Sequence, residues 1–301
     1  MSFEITTAFV EQYKANVAML AQQKGSRLRR AVMEESVKGK NAFFEQIGPV
    51  AMQARTTRHA DSPLISTPHA RRRVSLVDYE WGDMVDDLDK VRMLIDPTSP
   101  YASNAANAAN RTIDDVIIAA ADGTAYTGVD GSTSTAFDTN MVVDVQTRDV
   151  GVSAADLGLN VAKIIEAGRL LAANEVDEEE PKYIVWNARQ RASLLNSTKA
   201  TSSDYASVKA LVTGQLNAFL GFEFIRSERI GTDANGDDKV LFFAKSGMKL
   251  GVGMSPKTRI AERPDKGFNT YVYTCMSIGA TRMEETKVGY IECDPSAGPG
   301  A

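Results

Sequence analysis

Side chains able to transfer protons or attack a substrate near neutral pH are scarce in this sequence. The 301 residues include two histidines, His59 and His69. Both stand in a stretch broken by Pro63 and Pro68, and a loop is poor scaffolding for a site held to about half an ångström. No G-x-S-x-G elbow accompanies them. Cys275 and Cys293 lack C-x-x-C spacing and fall on separate predicted strands, so both read as small buried hydrophobes. The stretch DANGDDK at 233–239 opens like a calcium loop. Gly236 comes too early for one, and no glutamate stands at the twelfth position, so an Asn-Gly turn accounts for it. Gly251 and Gly253 lack the third glycine of a dinucleotide loop, and no phosphate loop occurs. The carboxylates Glu178, Glu179 and Glu180 read as a solvated face. The residues therefore lead to no catalytic, cofactor or metal site, and the expectation is a structural protein rather than an enzyme.

One cluster remains, Arg71, Arg72 and Arg73. Guanidinium forks fit carboxylates and phosphates. No aromatic residues interleave with them as a stacking platform for single-stranded nucleic acid would require. Their setting is asymmetric: residues 1–75 hold 12 Lys/Arg against 6 Asp/Glu, and residues 76–301 hold 22 against 33. A basic quarter on an acidic body suits either nucleic acid or the acidic body of a neighbouring copy. The cluster lies at the base of an extended ribbon, which favours inter-subunit carboxylates.

The elements that must position these residues follow from pattern. With 43% hydrophobic and 24% charged residues the chain is globular. No apolar run approaches the ~18–20 residues that span a bilayer. The N-terminus lacks a secretory pattern, and two cysteines then suggest reduced thiols. Residues 1–24 read as an amphipathic helix with Phe9, Tyr13 and Val17 on one face, which needs a surface to lie on. Residues 41–84 read as a two-stranded ribbon with arms 43–55 and 71–81 and a tip near 61–68. Its alternation slips once, at Val77. Such a ribbon is marginal alone, so it must fold back or be held by another subunit. A short helix is predicted over 83–95.

Residues 101–122 are the organising stretch. Pro97 and Pro100 open them, Gly123 ends them, and alanines give way to Ile113, Val116 and Ile117 along one face. The result is a spine helix of about 30 Å, small-sided in front and branched behind. A short strand is read over 141–146. Beyond Ser153 the pattern is α/β. A helix over 157–173 is capped by Ser153 and Asp156, and a strand over 183–186 precedes a helix over 188–195. A further helix over 205–220 ends at Gly221, followed by a strand over 222–230, the turn at 233–238, and a strand over 240–244 pairing back. The remainder reads as strands 250–252, 258–261, 270–276 and 289–291.

This order of parts resembles the major capsid proteins of tailed bacteriophages, the Hong Kong 97 type fold. PKYIVWNARQRASLLN at 181–196 looks like the strand–turn–helix of the axial domain. LNAFLGFEFIRSERI at 216–230 looks like the helix–Gly–strand that follows, and VLFFAKSGMKLGVG at 240–253 is similar to the return to the peripheral domain. The resemblance implies an α+β fold with an N-terminal arm over 1–40 and an extended loop over 41–84. A peripheral domain over 85–153 carries the spine 101–122, the axial domain covers 154–245, and 246–301 returns to the peripheral domain with a tail. It implies self-assembly into hexamers and pentamers of an icosahedral head around double-stranded DNA, in the virion after assembly in the host cytoplasm. The implied partners are the chain itself, a portal protein, separate scaffolding and decoration proteins, and DNA through non-specific contacts, with no membrane. Inter-subunit contacts are expected from Arg55, Arg58, Arg71, Arg72, Arg73, Phe9, Tyr13 and Val17. Some relatives carry a cleaved N-terminal scaffolding segment; an arm starting at residue 1 implies a separate scaffold or a mature form. Residues 41–84 contain no lysine, so the isopeptide weld some relatives make from this loop is not expected. The rival readings are a protein compartment of the encapsulin type, an unrecognised α/β enzyme and a basic DNA-binding protein.

Overall fold

The computed structural model describes residues 21–58, 61–85, 98–148, 156–196 and 218–296. In chain order the elements are β1 (Met33–Ser36), β2 (Asn41–Ile47), β3 (His69–Ser75), β4 (Val77–Val85), α1 (Thr98–Asp122), β5 (Ala125–Thr127), β6 (Thr133–Thr135), β7 (Val142–Val143), α2 (Val161–Ala173), β8 (Lys182–Trp186), α3 (Ala188–Asn196), β9 (Ala218–Phe219), β10 (Phe222–Arg226), β11 (Asp238–Ala244), β12 (Met248–Arg263), β13 (Asn269–Arg282) and β14 (Val288–Cys293). The fold is α+β. Its described residues fall into two compact units. The smaller holds residues 21–26 with Val77–Ile113 and Met254–Ile278; the larger draws on Arg27–Leu76, Asp114–Gly253 and the chain from Gly279 onward.

The larger unit is built on a six-stranded sheet of order β7-β14-β11-β8-β10-β9. Helix α2 lays Ile164, Ala167 and Leu171 on it, against Ile184, Trp186, Phe222, Phe242 and Ile291. The helix starts at Val161, four residues later than its apolar stripe suggests. The reason is its cap: Asn160 Oδ1 accepts the Lys163 amide at 2.9 Å. The expected cap residue Ser153 lies outside the described residues. Lys163 itself is fully buried. Its ammonium donates to the carbonyls of Leu157 at 2.6 Å and Glu292 at 2.7 Å, and burial holds its pKa below the usual lysine value.

Strand β8 and helix α3 match the strand–Asn–helix reading. Asn187 Oδ1 accepts the Gln190 amide at 2.8 Å. The side-chain amides of Asn187 and Gln190 both donate to the buried Asp238 carboxylate, at 2.9 and 2.8 Å. Gln190 Oε1 in turn accepts the Leu159 amide at 2.9 Å, so three chain segments close on one polar knot. Two expectations need correction here. β11 does not pair back on β10; it pairs antiparallel with β8 (Leu241↔Val185), which lies parallel to β10 (Lys182↔Phe222). The 233–238 turn does form, with Asp233 Oδ1 accepting the amides of Asn235 and Asp237 at 2.8 Å, but it does not join neighbouring strands. The helix predicted over 205–220 lies largely outside the described residues. Its last part, Ala218–Phe219, is strand β9, joined to β10 through Leu220 and Gly221 at φ 52° and 79°, the left-handed pair of a tight hairpin.

On strand β14 of this sheet Glu292 faces excess negative charge. Its carboxyl pKa is raised by burial, then by Asp233, Asp144 and Asp237, with Lys163 opposing. A pKa raised on folding gives stability that is complete at acid pH and is lost as the pH rises through the raised value. Glu292→Gln is therefore expected to raise the unfolding midpoint at pH 7 by about 1–2 °C and to leave it unchanged near pH 3. Calorimetry at the two pH values checks this.

Helix α1 begins three residues before the predicted spine and ends with it. Its buried line is Ala105, Ala109, Ile113, Ile117 and Ala121. In the smaller unit its small-residue half, with Ala105, Ala108 and Ala109, borders a cleft of about 190 Å³ with Trp81 and Met276. There β4 pairs antiparallel with β13, from Val77↔Ile278 to Val85↔Thr270. Asp83–Val85, predicted as the start of a helix, are thus strand; residues 86–95 of that prediction lie outside the described residues. The strands expected over 250–252 and 258–261 are one strand, β12. Pro256 lies within it and is tolerated because β1 accompanies β12 only over Lys249–Val252, so that beyond that point the ladder needs an N–H on one side at most. The 141–146 strand shrinks to Val142–Val143 after a 3-10 turn.

Candidate assembly site

The ribbon is real but shorter than its sequence suggests. β2 and β3 pair antiparallel from Asn41↔Ser75 to Ile47↔His69, and Gly48 N donating to Pro68 O at 2.9 Å is the last rung. Residues 49–58 and 61–68 carry no helix or strand. The second arm was expected to run to Trp81. The slip in alternation at Val77 marks where the chain leaves the ribbon and β4 begins.

The two ends of the ribbon differ in chemistry. Its outer part exposes Ile47, Val50, Met52, Leu64 and Ile65, with Met52 and Leu64 at 101% of full exposure. Aliphatic side chains left in water forgo about 1.5–3 kcal/mol each that burial would supply. Arg58 is exposed and makes no ion pair among the described residues, and Arg55 Nε donates locally to Thr57 O at 3.1 Å. The root is locked instead. Phe44 and Val74 are buried with Val37 and Met283. Gln46 Nε2 and Arg72 Nε both donate to Met283 O, at 2.7 and 2.8 Å, and Arg72 pairs with Glu285.

The arginine cluster is accordingly split by strand alternation. Arg71 and Arg73 face outward: Arg71 pairs with Glu45 at 2.5 Å, and Arg73 lies over the Tyr126 ring, 4.6 Å from its centroid. Arg72 points inward and is 6% exposed. Its Nε and one terminal nitrogen bind within its own subunit, to Met283 O and Glu285. Phe9, Tyr13 and Val17 lie outside the described residues.

Glu285 also stands 3.7 Å from the fully buried Arg282. Arg282 donates to Ala121 O and Gly123 O at 2.8 Å and to Ala136 O at 3.1 Å. Burial, opposed first by Glu285, lowers its pKa from the usual arginine value. It thus places positive charge on the last turn of α1, where the helix dipole favours it. One segment, 282–285, therefore grips both the ribbon root and the end of the spine. Further up the spine, the buried Asp114 accepts the amides of Arg27 at 3.0 Å and Leu28 at 3.1 Å. Asp114→Ala is expected to lower stability by about 1–2 kcal/mol, because one buried and one half-buried amide lose their acceptor. Urea unfolding beside the wild type checks it.

Sequence reading missed Asp114, Arg282 and Glu285. Their only signal was charge at positions otherwise apolar: Asp114 next to the Ile113 stripe, and Arg282–Glu285 closing a β-rich run.

Among the described residues, which do not include His59, the residue types of an active site do not gather. His69 is exposed at the start of β3, Cys275 is half-buried and Cys293 buried, and both thiols are free. Among the described residues no group of three or more His, Cys, Asp or Glu side chains is placed to hold a metal ion. What the fold does gather is a buried, hydrogen-bonded root carrying an apolar, exposed tip. The model of the phage capsid protein family matches residues 5–295. The capsid of the cyanophage P-SCSP1u superposes with a TM-score of 0.72 at 16% identity, covering 96% of this chain and 94% of that one. The capsid of Ralstonia phage GP4 gives 0.74 at 11% identity over 95% of each chain, and that of cyanophage Pam1 gives 0.67 at 14% identity over 98% and 99%. No curated protein matches the sequence. The fold is the Hong Kong 97-like capsid fold. The chain belongs to the phage capsid protein family and is a major capsid protein.

Proposed function

We propose that this chain closes the head of a tailed phage as hexamers and pentamers of one icosahedral shell around double-stranded DNA. The observation that carries the reading is the ribbon: a buried, hydrogen-bonded root presenting five exposed aliphatic side chains that its own subunit leaves uncovered. Burial on the next copy supplies what the isolated ribbon lacks. In this reading 1–40 is the arm, 41–84 the extended loop, 85–153 and 246–301 the peripheral domain, and 154–245 the axial domain. Arg55, Arg58, Arg71 and Arg73, with Phe9, Tyr13 and Val17, serve contacts between copies; Arg72 serves the root. A portal protein, separate scaffolding and decoration proteins, and DNA held without sequence preference complete the assembly, which takes place in the host cytoplasm before the protein resides in the virion.

Electron microscopy of the purified protein over a range of salt and concentration, with and without the scaffolding protein of the same phage, tests this. Closed shells whose 260 nm absorbance reports nucleic acid after co-expression with the packaging machinery support it. Shells that enclose only protein turn the reading to a compartment, and a small monodisperse oligomer under every condition overturns it.

A further inference from the structure

The outward face of the ribbon root is arranged differently from its tip. β3 places Arg73 opposite Phe43 on one side and Tyr126 on the other. Arg71 lies over Phe43 and Arg73 over Tyr126, at 5.6 and 4.6 Å from the ring centroids. Phe43 and Tyr126 are exposed, and Val129 beside them is 79% exposed. Gly131, at φ 61°, presses on this row: a Cβ there would meet Arg73 at 2.7 Å and Phe43 at 2.9 Å. The row is therefore held in place before any partner arrives, which lowers the entropy lost on binding.

Its charge is unbalanced. Arg71 has Glu45. Arg73 has no ion pair among the described residues, and its Nε is buried without an acceptor. Exposed aromatics around an arginine are the composition of protein–protein hot spots. A nucleic-acid backbone calls for several unpaired cations, and among the described residues of this face there is one.

The same chain carries a complementary surface. After α2, Asp177 Oδ1 accepts the Glu179 amide at 3.1 Å, and Glu180 Oε1 accepts the Ser246 amide at 2.5 Å. These bonds fix the turn and leave Glu178 and Glu179 exposed, with no ion pair among the described residues. Both surfaces belong to the larger unit, yet the structure records no bond from Arg73 to either glutamate.

We propose that the Phe43–Arg73–Tyr126 face receives the Glu178–Glu179 turn of a second copy. This inference rests on the capsid reading. Two different patches on one chain make a head-to-tail contact, and repeated rotation then closes a ring rather than a dimer, as a capsomer requires. Arg73 is the anchor, bidentate to one carboxylate and stacked on Tyr126.

Charge reversal tests it on the full-length protein under conditions where the wild type forms shells. R73E and the pair E178R/E179R are each expected to lower the assembled fraction at least about tenfold, read by sedimentation and electron microscopy, with the unfolding midpoint of the subunit unchanged. Combining all three substitutions restores shells, because the reversed charges still meet. If R73E lowers the unfolding midpoint, the near-isosteric R73Q carries the test, with the same loss expected. Normal shells from these single-surface variants, or no recovery in the combination, overturn this contact while leaving the capsid reading intact. A wild type that forms no shell under any condition overturns the capsid reading and this contact with it.

Discussion

Replacing Arg282 with methionine is expected to lower the stability of the subunit by about 3–5 kcal/mol, the range for breaking a buried charged network at one partner. The side chain is fully buried, and its guanidinium serves three carbonyls, those of Ala121, Gly123 and Ala136. Methionine restores much of the volume and none of the donors, and each stranded buried acceptor costs about 1–3 kcal/mol. The charge balance shifts as well. Glu285 stands between Arg72 and Arg282, so the substitution leaves one cation and one anion, while Glu285→Gln leaves two buried cations facing a neutral amide. Both variants should therefore fall, and the double variant should fall by less than their sum, since they share one network. Arg282→Lys should recover only part of the loss, because a single ammonium lacks the fork that reaches three carbonyls. In calorimetry the methionine variant is expected near 10 °C below the wild type. A loss below 1 kcal/mol in urea unfolding would mean that the end of α1 and the ribbon root are held by something other than this side chain.

What the sequence disclosed depended on how far each interaction reaches along the chain. The spine was legible because its cause is local: alanines and Ile113 and Ile117 recur at helical steps, and the observed helix ends at Asp122 as predicted. The β8–α3 junction was legible for the same reason, since Asn187 caps a helix three residues on. The ribbon was half legible. Its pairing follows from alternation, but its true end is the parity slip at Val77, and a ribbon drawn through to Trp81 absorbed a strand that pairs with β13. The partner of β11 was not legible, because β8 is inserted beside it from more than 50 residues away. The holding residues were hidden altogether. Arg282 reaches carbonyls 146 to 161 residues distant, and Asp114 reaches amides 86 and 87 residues distant. Three adjacent arginines looked like one cluster, yet alternation along β3 sends Arg72 to Glu285 and leaves Arg71 and Arg73 outside. Periodicity marks which face a residue takes, and only the assembled sheet determines what waits there.

Removing the ribbon tip should separate folding from assembly completely. The cut has to respect the root. A deletion reaching Ser75 would take away Arg72 and Val74, and with them the contacts to Met283 and Glu285. Replacing residues 49–67 by Asn-Gly joins Gly48 to Pro68, which already form the last rung, through a two-residue turn suited to an antiparallel pair. The described residues removed are exposed and belong to neither core cluster of the larger unit. The unfolding midpoint is therefore expected within about 2 °C of the wild type. Shells are expected to be undetectable by sedimentation and electron microscopy. Four of the five exposed aliphatic side chains go with the tip, and at about 1.5–3 kcal/mol each on burial they outweigh what one surface ion pair supplies. Length and chemistry can then be told apart. The substitutions Met52→Glu and Leu64→Glu keep the ribbon at full length and remove only its apolar surface. Loss of shells in that variant assigns closure to burial on a neighbouring copy. Wild-type shells from it, beside none from the shortened ribbon, would assign closure to the reach of the backbone, and wild-type shells from both would move the closing contact off the ribbon altogether.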